Sequence, residues 1–153
     1  MKNNRKIAFE DFGTTLPIVK FTLGSEQIYA IIDSGSEQTV FEKRFVKNHK
    51  DLFKIRVEKA ALTMTGVSQS PANVNCIFAK ADLWHGDAET GEGVLRNVEG
   101  IIMPLDHLSE HFSNQGITIA ALIGSDILQP VHAHIDYENR QLVLPADIVE
   151  PNK

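Results

Sequence analysis

Hydrophobic and polar positions alternate along much of this chain, and the alternation changes period only in short stretches. Pro17, Val19, Phe21 and Leu23 alternate with Ile18, Lys20 and Thr22, which predicts a half-buried strand. Gly24-Ser25 turns it into Ile28–Ile32, where Ile28, Ala30 and Ile32 would face one side and Tyr29 and Ile31 the other. Both faces of that second strand are apolar, as in a strand buried from two sides. Phe45, Val46, His49, Leu52 and Phe53 then recur at helical spacing among lysines and glutamates, predicting a short amphipathic helix with His49 on its surface.

The second half repeats the strand pattern. Leu62 and Met64 lead through Gly66 to Val74, Cys76 and Phe78, two β-prone arms around a polar tip at residues 65–70. Ala81 to Trp84 closes a strand, residues 85–93 read as a polar, glycine-bearing loop, and Val94 to Met103 reads as a strand stopped by Pro104. Asp106 to Phe112 predicts a short helix ended by Gly116, and Ile117 to Ile123 an apolar strand. Ser125-Asp126 would cap a brief helix over residues 127–129, before Pro130. Val131, Ala133, Ile135 and Tyr137 alternate with His132, His134 and Asp136, and Glu138-Asn139 turns towards Leu142–Leu144. Many short strands and one or two short helices predict an all-β fold, a small closed barrel in a single domain over 1–153. Residues 1–15 are polar, either a loose arm or an edge strand.

The candidate chemistry sits where the buried strand ends. Asp33 closes an apolar run on a tight turn, a place where an unpartnered carboxylate is costly. Alone, Asp33-Ser34-Gly35 is ordinary Asx-turn chemistry. The longer stretch, Tyr29-Ala30-Ile31-Ile32-Asp33-Ser34-Gly35-Ser36-Glu37-Gln38-Thr39-Val40-Phe41, resembles the active-site motif of retropepsin-like aspartic proteases. Ala121-Leu122-Ile123-Gly124-Ser125-Asp126-Ile127-Leu128 resembles the second signature of that family, in the right order and at a family-like separation.

The resemblance implies a closed acid-protease barrel, with Asp33 as the catalytic carboxylate on a loop of Ser34, Gly35 and Ser36. Ile123, Gly124 and Asp126 would be the supporting motif. Thr65, Gly66, Val67 and Ser68 would be the flap closing over a bound peptide. No cofactor and no metal are implied. Hydrolysis of a peptide bond by carboxylates needs two of them sharing a proton, one as base on a water and one as acid towards the carbonyl. With one such motif per chain, the partner must be a second copy, so a homodimer is expected. The Ser34 hydroxyl would bond across it to the opposite loop. Retroviral members of the family often pair the acidic residue at the Glu37 position with an arginine where this chain has Ser125, so the loop here needs another brace, for which Asp126 is the candidate. The alternative is a non-catalytic module of the same fold used for dimerisation or peptide capture.

Composition narrows the remaining classes. A chain of 153 residues, 42% hydrophobic and 23% charged, can bury a core of ordinary size. A net charge of −5 without a basic patch argues against a nucleic-acid partner. No run approaches the roughly 20 apolar residues of a membrane span, and no signal-peptide core follows the basic start. The one cysteine, Cys76, makes no internal disulfide, so a cytoplasmic setting is expected. His107-Leu108-Ser109-Glu110-His111 spells an inverted zinc-protease motif, but Pro104 and Gly116 leave too short a helix and no further ligand is evident, so chance is the reading.

Overall fold

A computed structural model describes residues 4–62, 72–87 and 91–151 of the chain. Its strands are β1 (Arg5–Ala8), β2 (Ile18–Leu23), β3 (Glu26–Ile32), β4 (Val40–Glu42), β5 (Lys54–Leu62), β6 (Ala72–Asp87), β7 (Gly91–Met103), β8 (Ile119–Ile123), β9 (His134–Asp136), β10 (Gln141–Leu144) and β11 (Ile148–Val149). Three short helices join them, α1 (Lys43–Asn48), α2 (Asp106–Ser113) and α3 (Ser125–Leu128).

Six strands close on themselves in the order β7–β4–β8–β3–β2–β6 and back to β7. This is the all-β closed barrel that the strand pattern predicts. The seam between β2 and β6 is the single pair Thr22–Trp84. β5 extends the sheet outward from β6, and β11 extends it from β7. A separate three-stranded sheet, β1–β10–β9, places residues 5–8 as an edge strand rather than a loose arm. No helix among the described residues is long and apolar enough to cross a membrane.

Strand register sorts the side chains into two layers. Val19, Ala30, Ala121 and Phe41 pair across β2, β3, β8 and β4 and fill the barrel with Phe21, Ile28, Ile32 and Leu83. The neighbouring row, Ile18, Ile31, Leu122 and Val40, points outward. There a second cluster forms with Leu105, Leu108 and Phe112 from around α2. β3 is therefore covered on both faces, as its unbroken apolar run requires.

Several expectations are corrected. The helix after Phe41 stops at Asn48; a 3₁₀ turn over Lys50–Leu52 follows, and Phe53 is extended. His49 stacks on Phe45 at 4.3 Å and its Nδ1 lies 2.9 Å from the Phe45 carbonyl oxygen. The first hairpin arm begins at Lys54, eight residues earlier than its apolar letters suggest, because Ile55 and Val57 are exposed and alternate with charges. The loop expected over 85–93 is mostly strand: β6 runs to Asp87 and β7 starts at Gly91. Ser125 and Asp126 lie inside α3 and cap nothing; Gly124 holds the N-cap position without a side-chain bond. The alternation over 131–137 yields a strand only at 134–136, since His132 turns the backbone with φ 57°.

His85 explains why the polar stretch stays in the sheet. Its ring is 4% exposed, and Nε2 has no hydrogen-bond partner. A Cβ on Gly93 would stand 2.3 Å from the ring, so only glycine fits opposite it. The buried Arg5 guanidinium reaches the Gly91 carbonyl and lies 3.5 Å from Asp147. Burial, then the Arg5 charge, pushes the His85 pKa down to about 4 from an ordinary 6.5, against a smaller opposing pull from Asp147. The folded chain thus holds His85 neutral while the unfolded chain protonates it, so stability falls as pH drops from about 6.5 towards about 4. We expect His85→Gln to flatten the acid limb of a melting-temperature profile between those pH values, removing roughly 2 kcal/mol of its pH dependence. An unchanged slope would show that other groups set it.

Candidate active site

Asp33 follows the last residue of β3, and its backbone N–H donates to the Ile123 carbonyl at 2.9 Å, continuing the ladder to β8. By strand alternation its side chain emerges on the outer face with Tyr29 and Ile31, away from the barrel interior. Ser36 N–H donates to the Asp33 carbonyl at 3.1 Å, closing the turn. Gly35 N–H donates to Asp33 Oδ1 at 3.0 Å, so the Asx-turn chemistry of the triplet is present and orients the carboxylate. Asp33 is partly buried, and Ser34, Gly35 and Glu37 are exposed.

The turn is held by the second motif. Gly124 lies so close beneath it that a Cβ there would stand 2.6 Å from the Ser36 carbonyl oxygen. Ser125 N–H donates to that same oxygen at 2.7 Å. Thr39, fully buried, ties the two segments together. Its hydroxyl donates to Asp126 Oδ1 at 2.7 Å and accepts from Gly124 N–H at 3.0 Å, while Thr39 N–H donates to Asp126 Oδ2 at 3.1 Å. Asp126 therefore braces the loop from the side where Ser125 carries no charge, through a hydroxyl and a backbone amide. Ser36 Oγ adds a bond to the Gln38 carbonyl at 2.9 Å.

The structure thus gathers Asp33, Ser34, Gly35, Ser36, Ile123, Gly124 and Asp126 at one end of the barrel. Thr65, Gly66, Val67 and Ser68 lie outside the described residues. The arms that carry them are the paired β5 and β6, in register from Lys54–Lys80 to Leu62–Ala72. Ile55, Val57 and Ile77 are exposed on one face of this hairpin.

Two features escape sequence reasoning. Thr39 stands at a fixed position of the motif, but its part as the hub of the brace is visible only in the hydrogen bonds. A cavity of about 530 Å³ opens beside Ser34, lined also by Ser125, Leu128, Gln129, His132 and Ile135. Its residues come from the Asp33 turn, from α3 and the turn after it, and from β9, with the backbone reversing at His132. Among the described residues no three His, Cys, Asp or Glu side chains gather as a metal-binding group. His111 is exposed and packs edge-on against Phe112.

No family model and no curated protein matches this chain. Among solved structures it is similar to a retropepsin-like aspartic protease from Rickettsia conorii, at 14% identity and a TM-score of 0.49 over 95% of this chain and 92% of that one. It is also similar to the retroviral protease-like domain of Ddi1 from Leishmania major, at 13% identity and a TM-score of 0.47 over 90% of this chain and 93% of that one.

The brace makes a direct prediction. Thr39→Val keeps the shape but strands Asp126 Oδ1 and the Gly124 N–H without their partner. We expect a loss of about 2–3 kcal/mol in urea unfolding, since one of the two bonds is charge-assisted and both lost partners are at least partly buried. A loss below about 0.5 kcal/mol, within the range of ordinary surface changes, would mean the brace is redundant.

Proposed function

We propose that this chain is an aspartic endopeptidase that acts as a homodimer on extended polypeptide. The observation that carries the reading is the fixed carboxylate: Asp33 projects from a turn whose backbone is bonded to Ile123 and Ser125 and whose flank is braced by Thr39 and Asp126. A turn that needed only to connect two strands would not require a buried hydroxyl and a second carboxylate to hold it. Preorganisation of that kind is what a reacting group needs, because catalysis depends on holding charge where the transition state will use it.

One carboxylate cannot serve as base and acid at once. In the proposed site two Asp33 side chains, one from each copy, lie about 3 Å apart and share one proton, because both cannot ionise at that separation. The ionised member takes a proton from the attacking water, and the protonated member polarises the scissile carbonyl. Ser34, exposed beside Asp33, is positioned in this reading to hydrogen-bond with the opposite loop. The β5–β6 hairpin, with Ile55, Val57 and Ile77 exposed, would close over the peptide and add main-chain pairing to it.

Asp33→Asn is expected to abolish cleavage of a mixed peptide library between acid and neutral pH while folding is kept, since asparagine is nearly isosteric and uncharged. The variant should also poison the wild type. After full subunit exchange at equal amounts, only about a quarter of dimers carry two carboxylates, so the initial rate should fall as the square of the wild-type fraction. A straight line would place a self-sufficient site in each copy and end the shared-carboxylate reading. Absence of cleavage by the wild type across the whole pH range would favour the non-catalytic peptide-binding module.

A further inference from the structure

The outward face that carries Asp33 is not open beside it. The row Ile18, Ile31, Leu122 and Val40 runs across β2, β3, β8 and β4, two residues along β3 from Asp33 and on the same face. An extended peptide laid against Asp33 along this side would rest on that row. In this structure the row is covered by the chain itself. Ile18 and Ile31 are almost wholly buried, against Leu105 and Phe112, which are 5% and 1% exposed, with Ile117 and partly buried Leu108 beside them. Phe12 adds an edge contact to Phe112 from the N-terminal side.

The covering segment is attached in an unusual way. Among the described residues, the loop hydrogen bonds of its backbone are local: Leu108 to Leu105, Gln115 and Ile117 to Phe112, and Gly116 to Ser113. Helix α2 has no side-chain cap at its N-terminus, and Pro104 precedes it. Gly116, at φ 75°, ends the segment in a left-handed turn. An ion pair from Asp106 to Arg44 of α1, at 3.7 Å, lies between two well-exposed side chains, where such pairs contribute little. The segment's buried side chains pack on the sheet as an apolar cluster, Leu105, Phe112 and Ile117 against Ile18, Ile31 and Leu122. A segment docked this way can leave and return without unfolding the barrel.

We infer that residues 104–117 form an autoinhibitory strap, lying in the apolar groove beside Asp33 that an extended apolar peptide would occupy. Binding then requires the strap to lift, and the observed affinity is the intrinsic one reduced by the fraction of molecules in which it is open. This inference rests on the peptide-binding part of the proposed function and not on cleavage.

The test uses a dye-labelled, N-acetylated hexapeptide amide of leucine and valine, titrated by fluorescence anisotropy against the Asp33→Asn chain so that nothing is cut. Leu108→Ala and Phe112→Ala are then added to that chain. Loosening the strap should tighten binding, on the order of tenfold for Phe112→Ala and less for Leu108→Ala. In the unsubstituted chain, amides of residues 105–117 should exchange with deuterium at least about tenfold faster than those of Ile119–Ile123. Unchanged or weaker peptide binding by folded variants overturns the strap and makes α2 a fixed wall. If Phe112→Ala does not fold, Leu108→Ala and the exchange comparison decide, and equal protection of both segments overturns the strap. Failure of the protease reading looks different: the wild type cuts nothing, while the gain in affinity persists.

Discussion

A buried threonine hydroxyl is the point on which the site depends. Thr39 sits where β4 begins, and through it the Asp33 turn, Gly124 and Asp126 share one hydrogen-bonded unit. The hydroxyl uses both its capacities, giving its proton to a carboxylate and accepting from a backbone amide. The Thr39 carbonyl in turn accepts from Ile101 N–H at 3.0 Å, so the same residue links β7 to the unit. Because Gly124 has no side chain, the Ser36 backbone can approach closely enough for these bonds to form. Replacing Thr39 or Asp126 by an apolar residue leaves a polar group without its partner, which costs more than the bond itself contributes.

The barrel makes this unit possible by bringing together segments far apart in the chain. β3 and β8 run parallel, so Ile32 and Ile123 end side by side and Asp33 and Gly124 leave the sheet at the same edge. The two layers of side chains follow from the same registers. Inward residues fill the barrel, and the outward row beside Asp33 is left for the strap to cover. The parity that aims Asp33 outward therefore also decides which apolar residues need that cover.

Much of this was legible in the letters. The β2–β3 hairpin follows from strict alternation and Gly24, and the two motif segments announce a carboxylate turn and its glycine neighbour. The role of Asp126 as a brace is suggested by the uncharged Ser125. What was not legible lay where tertiary packing reverses the usual meaning of a residue. His85 and Gly93 read as loop, yet the ring is buried against the glycine backbone within the sheet. The first hairpin arm reads as starting at Leu62, yet the strand begins at Lys54, where Ile55 and Val57 are exposed. Ser125 and Asp126 read as helix caps, but the Asp126 carboxylate is spent on Thr39. Nothing in a sequence pattern of period 2 distinguishes the face that fills a barrel from the face that α2 covers.

The proposed function makes the two-fold partner part of the site, so activity and association must rise together. The most direct measurement is specific activity against total protein concentration, with sedimentation equilibrium under the same conditions giving the dimer fraction. A rate per chain that follows the dimer fraction and vanishes in the monomer is the predicted result. Full specific activity in samples that sediment as monomers would contradict the account, because a single Asp33 would then be doing the work assigned to two.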